Sequence, residues 1–261
     1  MYQPQYPEPQ PSELPPPTPP RRRRLGRWGP WTATAAAALA KLKFLLVVLK
    51  FGTLISMLVS LALYAQVFGW AFAAGFVALL FVHEMGHYLT ARRLGVPVTA
   101  PVFIPFLGAV INLRGSPQDA YREAQLAAGG PLTGIAASFA LLPLAGASGL
   151  FASLAFTGFF LNLFNLLPTY PLDGGRIAGA ISPWFWPLGL VLAGYLFWRS
   201  GNPILLLVLV FSLFQAGHAW KQRLSPYYQL PWGRRATVAL AYFALIGLAG
   251  LGLAVNHPPG L

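Results

Sequence analysis

Phe81-Val82-His83-Glu84-Met85-Gly86-His87-Tyr88 is the stretch on which the reading of this chain turns. An α-helix closes a turn every 3.6 residues, so His83 and His87 stand one above the other on a single face. Two imidazoles at that spacing can share one zinc ion, and Glu84, beside the first of them, can reach a water on the metal. The bland alternative is a pair of buried histidines hydrogen-bonded inside a helix bundle. The residues in front of the motif, Trp70-Ala-Phe-Ala-Ala-Gly-Phe-Val-Ala-Leu-Leu-Phe-Val82, are membrane chemistry. Ionisable groups at bilayer depth are costly and are kept for function, which argues for the metal.

Composition carries the same message over the whole chain. Of 261 residues, 56% are hydrophobic and 9% charged, with a mean hydropathy of +0.58, whereas a soluble domain carries about 25% charge. The expectation is an all-α polytopic membrane protein with six to seven transmembrane helices. Cysteine is absent, so disulfides and thiolate metal sites are excluded and any zinc must be held by nitrogen and oxygen. The net charge of +12 does not point to nucleic acid. Eight of the eighteen basic residues precede Phe51, and most others fall in short connections between apolar runs, which is how cytoplasmic loops are marked.

Four segments follow along the chain. Residues 1–30 hold a proline-rich stretch and then Arg21-Arg22-Arg23-Arg24 and Arg27, expected as a disordered cytoplasmic tail ending in an interface anchor. Residues 31–69 contain an interfacial segment and a first span over 44–67. Residues 70–181 are the expected catalytic core. There the motif helix runs to Arg92 and Arg93, which the positive-inside rule assigns to the cytoplasmic face, about 13 Å from His83 at 1.5 Å per residue. Residues 96–118 are apolar but broken by Pro97, Pro101, Pro105 and Pro117. They read as a re-entrant hairpin or short β pair beside the metal, or as a loop on the membrane surface. Spans are expected over 119–145 and 150–167, the first carrying Gly129-Gly130-Pro131 for close helix approach and a kink, the second carrying Asn162 and Asn165, which need partners in apolar company. Pro168 and Pro171 should end that span, with Gly174-Gly175 permitting a turn of positive φ that presents Asp173. Asp173 is the carboxylate available to complete a two-histidine zinc site, apart from Asp119 and Glu123 in a connecting loop. Residues 182–261 supply spans over 186–198, 203–220 and 236–255.

Together, His83-Glu84-Met85-Gly86-His87 and Asn165…Pro168…Pro171-Leu172-Asp173-Gly174-Gly175, with Pro105 to Gly108 and Gly130-Pro131 between them, resemble the site-2 protease family of intramembrane zinc metalloproteases. The resemblance implies that His83, His87 and Asp173 bind one zinc ion and that Glu84 is the general base. It also implies that Asn165, with Gly108 and Asn112, holds the substrate or its oxyanion. This is a minimal form: the stretch from Tyr88 to Phe164 leaves no room for the PDZ domain of many relatives, and nothing after Trp220 has the length of a CBS pair.

The function expected is hydrolysis of peptide bonds within or near the transmembrane segment of a single-span membrane protein, which another protease has trimmed first, in the cell membrane and with the N-terminus cytoplasmic. The partners expected are that substrate and the lipid bilayer, with no nucleic acid. The alternative is a catalytically silent membrane receptor or assembly factor on the same scaffold. A metal transporter would need polar residues through both leaflets, and the outer halves of these spans offer almost none.

Overall fold

The computed structural model describes residues 52–99, 102–104, 108–110 and 117–256. The proline- and arginine-rich tail, the interfacial segment, the first part of the first span and Asn112 lie outside the described residues. The elements in chain order are α1 (Gly52–Phe68), α2 (Trp70–Arg93), β1 (Val102–Ile104), β2 (Gly108–Val110), α3 (Ala120–Ala145), α4 (Gly149–Asn165), α5 (Asp173–Ile181), α6 (Phe185–Ser200), α7 (Pro203–Gln222), a 3₁₀ turn (Pro226–Tyr228) and α8 (Trp232–Val255).

Local chemistry sets these boundaries. Gly69 separates α1 from α2 at φ 81° and ψ 156°, a region open in practice to glycine alone. Arg92 and Arg93 sit in the last turn of α2, where their charge complements the helix dipole, and Gly95 at φ 71° turns the chain away. Asp119 caps α3 by accepting from the Arg122 N–H at 2.9 Å, and Asn202 caps α7 by accepting from the Ile204 N–H at 2.9 Å. Gly201, at φ 61°, closes α6.

The proline-broken segment contains an antiparallel hairpin, with Val102 opposite Val110, Phe103 opposite Ala109 and Ile104 opposite Gly108. It lies against α1 and α2. The Phe103 N–H donates to Ser56 Oγ at 3.0 Å, and the Phe103 ring stacks on Phe81, two residues ahead of His83, with centroids 6.4 Å apart. A second core, built by α3, α4, α5 and α8, is rich in alanine at 120, 124, 127, 155, 178, 180 and 249. Small residues let helix backbones approach where lipid supplies no hydrophobic drive.

By length and composition, Trp70–Arg93, Ala120–Ala145 and Trp232–Val255 can each cross a membrane, while Leu54–Phe68, Gly149–Asn165 and Pro203–Gln215 are shorter apolar helices. Large apolar side chains face outward, among them Phe214, Leu240 and Trp198, as they do on an integral membrane protein.

Two features depart from the sequence reading. Asp173-Gly174-Gly175 is not a turn with positive φ: α5 begins at Asp173, and among the described glycines only Gly69, Gly95 and Gly201 have positive φ. What requires glycine there is space, because a Cβ on Gly174 would strike the carbonyls of Leu166 and Leu167, and one on Gly175 the backbone of Thr169 and Tyr170. Arg234 and Arg235, read as loop residues, lie in the first turn of α8. Pro231, which precedes that turn, starts the helix four residues early.

The backbone angle at Gly69 yields a direct test. Gly69→Ala should lower the stability of the purified protein by about 1–3 kcal/mol, the cost of an alanine in that region, read as an earlier unfolding midpoint in detergent.

Candidate metal centre

The centre is assembled from three helices that meet at glycines. Along α2, His83 and Gly86 face α3, and Gly86 lies so close that a Cβ would strike Thr133 Oγ1 and the Gly129 carbonyl. Thr133 Oγ1 fastens the crossing by donating to the Val82 carbonyl at 3.0 Å. On α3, a Cβ at Gly130 would enter the His83 and His87 rings, and a Cβ at Gly134 would enter the Asn162 amide. Pro131 withdraws one N–H from the α3 ladder and crowds the carbonyls of the turn before it. Close approach at Gly129 and Gly130 is what the sequence predicted, and here it makes room for two imidazoles.

The second nitrogen of each ring is committed to an acceptor. Asn162 Nδ2 donates to the Gly158 carbonyl at 2.7 Å, which fixes the amide orientation and leaves Oδ1 to accept from His83 Nδ1 at 2.8 Å. His87 Nδ1 donates to the Leu126 carbonyl at 2.9 Å. The Gly130 N–H also lies 3.2 Å from that nitrogen, but the ring proton points at the shorter carbonyl contact, so this second contact is no hydrogen bond. With each Nδ1 proton given to its acceptor, a neutral ring has an unprotonated Nε2 to turn inward. The two Nε2 atoms are 3.1 Å apart, and Asp173 Oδ2 is 3.3 Å from His83 Nε2 and 3.2 Å from His87 Nε2.

Three lone pairs thus form a nearly equilateral triangle. Tetrahedral zinc with ligands at about 2.0–2.1 Å separates its donors by about 3.3 Å, so the spacing and the nitrogen–oxygen donor set fit that ion. His83, Glu84 and His87 are all buried, and each offers a ligand atom within 4.8 Å of the others. His83, His87 and Asp173, predicted from opposite ends of the core, are thereby brought together, with Glu84 beside them.

The other candidates separate from the centre. Asp119, besides capping α3, accepts from Arg234 at 3.2 Å, and Glu123 accepts from the Tyr227 hydroxyl at 2.8 Å, so neither is the carboxylate that joins the two histidines. Burial, and after it the Glu123 carboxylate, hold the Tyr227 hydroxyl above the ordinary tyrosine range, which keeps it protonated as the donor. Asn165 Nδ2 donates back to the Leu161 carbonyl of its own helix at 3.1 Å, and Gly108 lies in β2. The residue that sequence reasoning left without a role is Asn162. Its signal was an amide in an apolar helix that needed a partner, and the partner is His83.

Two substitutions test this architecture. Gly130→Ala should displace both imidazoles and reduce zinc uptake by the folded protein to background in metal analysis. Asn162→Ala should weaken zinc affinity by about 10–100-fold, the usual effect of losing a group that orients a ligand, in a chelator competition titration.

Comparison with known proteins bears on the same residues. The model of peptidase family M50 matches residues 71–149 and 142–185. Rip3 of Mycobacterium tuberculosis, which carries the name zinc metalloprotease, is 35% identical over 170 residues, covering 59% of this chain and 43% of that protein. Zinc metalloprotease MJ0392 of Methanocaldococcus jannaschii is 32% identical over 114 residues, covering 40% of this chain and 33% of the relative. The chain therefore spans less than half the length of the curated relatives it matches. The solved site-2 protease from Methanocaldococcus jannaschii aligns with a TM-score of 0.44 and 23% identity over 62% of this chain and 85% of that one. His83, Glu84, His87 and Asp173 all fall within the residues that the model of peptidase family M50 matches, so the chain is similar to that family over the stretch that carries both of its motifs.

Proposed function

We propose that this protein is an intramembrane zinc metalloendopeptidase that hydrolyses peptide bonds within or near the transmembrane segment of membrane-bound substrates. The observation that carries the proposal is the triangle of His83 Nε2, His87 Nε2 and Asp173 Oδ2, with sides of 3.1–3.3 Å, beside the buried carboxylate of Glu84. The match to peptidase family M50 and the similarity to relatives named as zinc metalloproteases support it. A silent receptor would need neither Glu84 nor a complete donor set, and no observation favours one.

In this reading His83, His87 and Asp173 hold the zinc, and Glu84 is the general base. When bound, zinc supplies Lewis acidity, polarising the scissile carbonyl and lowering the pKa of water to about 7. Glu84 takes the proton of the attacking water and returns it to the leaving amide nitrogen. Asn162 and the Leu126 carbonyl keep the two rings in the tautomer that presents Nε2. A helical substrate hides its carbonyls in its own hydrogen bonds and must unwind to be cut. The hairpin beside Phe81 offers strand edges along which the unwound peptide can pair. Gly108 of that hairpin, Asn112 beyond it and Asn165 at the end of α4 are assigned to the substrate side.

The finer architecture belongs to the same proposal: six to seven spans, the N-terminus in the cytoplasm and the protein in the cell membrane. The cations of Arg92, Arg93, Lys221, Arg223, Arg234 and Arg235 cluster at helix ends that this arrangement assigns to the cytoplasmic face. The partner proposed is a single-span membrane protein already shortened by another protease.

Full-length protein purified from membranes should carry about one zinc per chain, as a single catalytic site requires, and should cleave a single-span reporter. Glu84→Gln should retain the zinc while cleavage falls by at least about 10²–10⁴-fold, the contribution of a positioned acid–base group. Asp173→Ala should lose both zinc and cleavage. Parental cleavage by either variant would remove the role assigned to that residue.

A further inference from the structure

His83 and His87 come from adjacent turns of one helix, but Asp173 arrives from far along the chain and must be put in place by something else. It follows the connection Leu166–Leu172, whose Pro168 and Pro171 have no N–H, so that no regular ladder can hold the segment. Its own backbone bonds are few: Thr169 N–H to the Leu167 carbonyl at 2.7 Å and Leu172 N–H to the Thr169 carbonyl at 3.1 Å.

Four carbonyls of this connection and of α5, those of Leu166, Tyr170, Gly175 and Ile181, accept from side chains of α6, α7 and α8. The Tyr242 hydroxyl of α8 donates to the Leu166 carbonyl at 2.6 Å. Ser212 of α7 accepts from Thr169 Oγ1 at 2.8 Å and donates to the Tyr170 carbonyl, so its single hydroxyl closes both bonds. Trp186 Nε1 of α6 donates to the Gly175 carbonyl at 2.8 Å, two residues past Asp173. Arg235 of α8 donates to the Ile181 carbonyl at 2.8 Å, at the far end of α5, and to the Tyr228 carbonyl at 2.9 Å. Thr169, Trp186, Ser212 and Tyr242 are all buried. Where no water can substitute, losing one of these donors leaves a carbonyl or hydroxyl unsatisfied. All four donors lie beyond residue 185, outside the residues matched by the family model.

We propose that Ser212 and Tyr242, with Trp186 and Arg235, are positioning residues that hold Asp173 at coordinating distance from His83 and His87, so that the C-terminal helices set how long the metal stays bound. The inference rests on the zinc reading above. It goes beyond that reading by assigning the lifetime of the metal to residues that touch neither metal nor substrate.

The test is the rate at which full-length protein in detergent releases zinc to a chromophoric chelator, for the parent, Ser212→Ala and Tyr242→Phe. Each variant deletes one oxygen. Thr157→Ala and Thr237→Ala are matched controls, because those hydroxyls donate to carbonyls of their own helices, Ser153 at 2.8 Å and Gly233 at 2.9 Å. Ser212→Ala and Tyr242→Phe should each release zinc at least about 10-fold faster, as loss of ligand support does elsewhere, while the controls match the parent. A packing role alone would lower the unfolding temperature of the metal-free protein without changing the release rate of the folded fraction. Parental release rates in both variants, or equal acceleration in the controls, would overturn the inference; if Ser212→Ala does not fold, Tyr242→Phe decides. A parent that binds no zinc would instead overturn the reading on which the inference rests.

Discussion

Three donor atoms, two from one helix and one from far along the chain, are held 3.1–3.3 Å apart inside an apolar protein, and most of the structure around them can be understood as the means of holding them there. The rings cannot rotate out of place, because the Leu126 carbonyl and the Asn162 amide fix their outer nitrogens. They cannot back away either, because the α3 backbone passes directly behind them at Gly130, where even a Cβ would meet both rings. The geometry is thus enforced by neighbours on α3 and α4 rather than by α2, which carries the motif.

That enforcement explains why glycine gathers where the helices cross. Gly86 on α2 faces Gly129 on α3, while Gly130 and Gly134, one turn apart on α3, face the imidazoles and the Asn162 amide. Each glycine within a helix costs about 1 kcal/mol relative to alanine, a loss offset here by backbone contact that larger residues would forbid. The same seam continues at Ser138, which sits where Gly158 of α4 leaves space. Helix packing and metal geometry are therefore a single constraint, because a shift at the seam moves both rings.

The sequence made the two-histidine helix legible because a rare residue pair at helical spacing survives any uncertainty about packing. The helix limits were also legible: spans read over 119–145, 150–167 and 203–220 correspond to Ala120–Ala145, Gly149–Asn165 and Pro203–Gln222, because Pro, Gly, Asp and Ser mark helix ends even in apolar sequence. The hairpin followed from prolines that exclude a span. What could not be read was direction. Asn162 and Asn165 lie three residues apart on a helix that is apolar on every side, so no polar stripe told which amide faces α2. The glycines after Asp173 were misread for a related reason. Sequence shows that a side chain is forbidden but not whether φ or a neighbouring carbonyl forbids it, and here it is the carbonyls of Leu166 and Leu167.

The two halves of the donor set also differ in what fixes them. A pair of ligands four residues apart is ordered by the formation of one helix, so it needs little beyond propensity and burial. A ligand far along the chain must be brought back at the expense of loop-closure entropy, and a backbone broken by Pro168 and Pro171 cannot hold it with its own bonds. The hydrogen-bond record follows that division. The rings are steadied by one acceptor each, whereas the segment from Leu166 to Ile181 is gripped by Trp186, Ser212, Arg235 and Tyr242 from three later helices. The helices that follow the shared core are for this reason more than membrane anchors: they stand where the least self-sufficient ligand has to be kept in place.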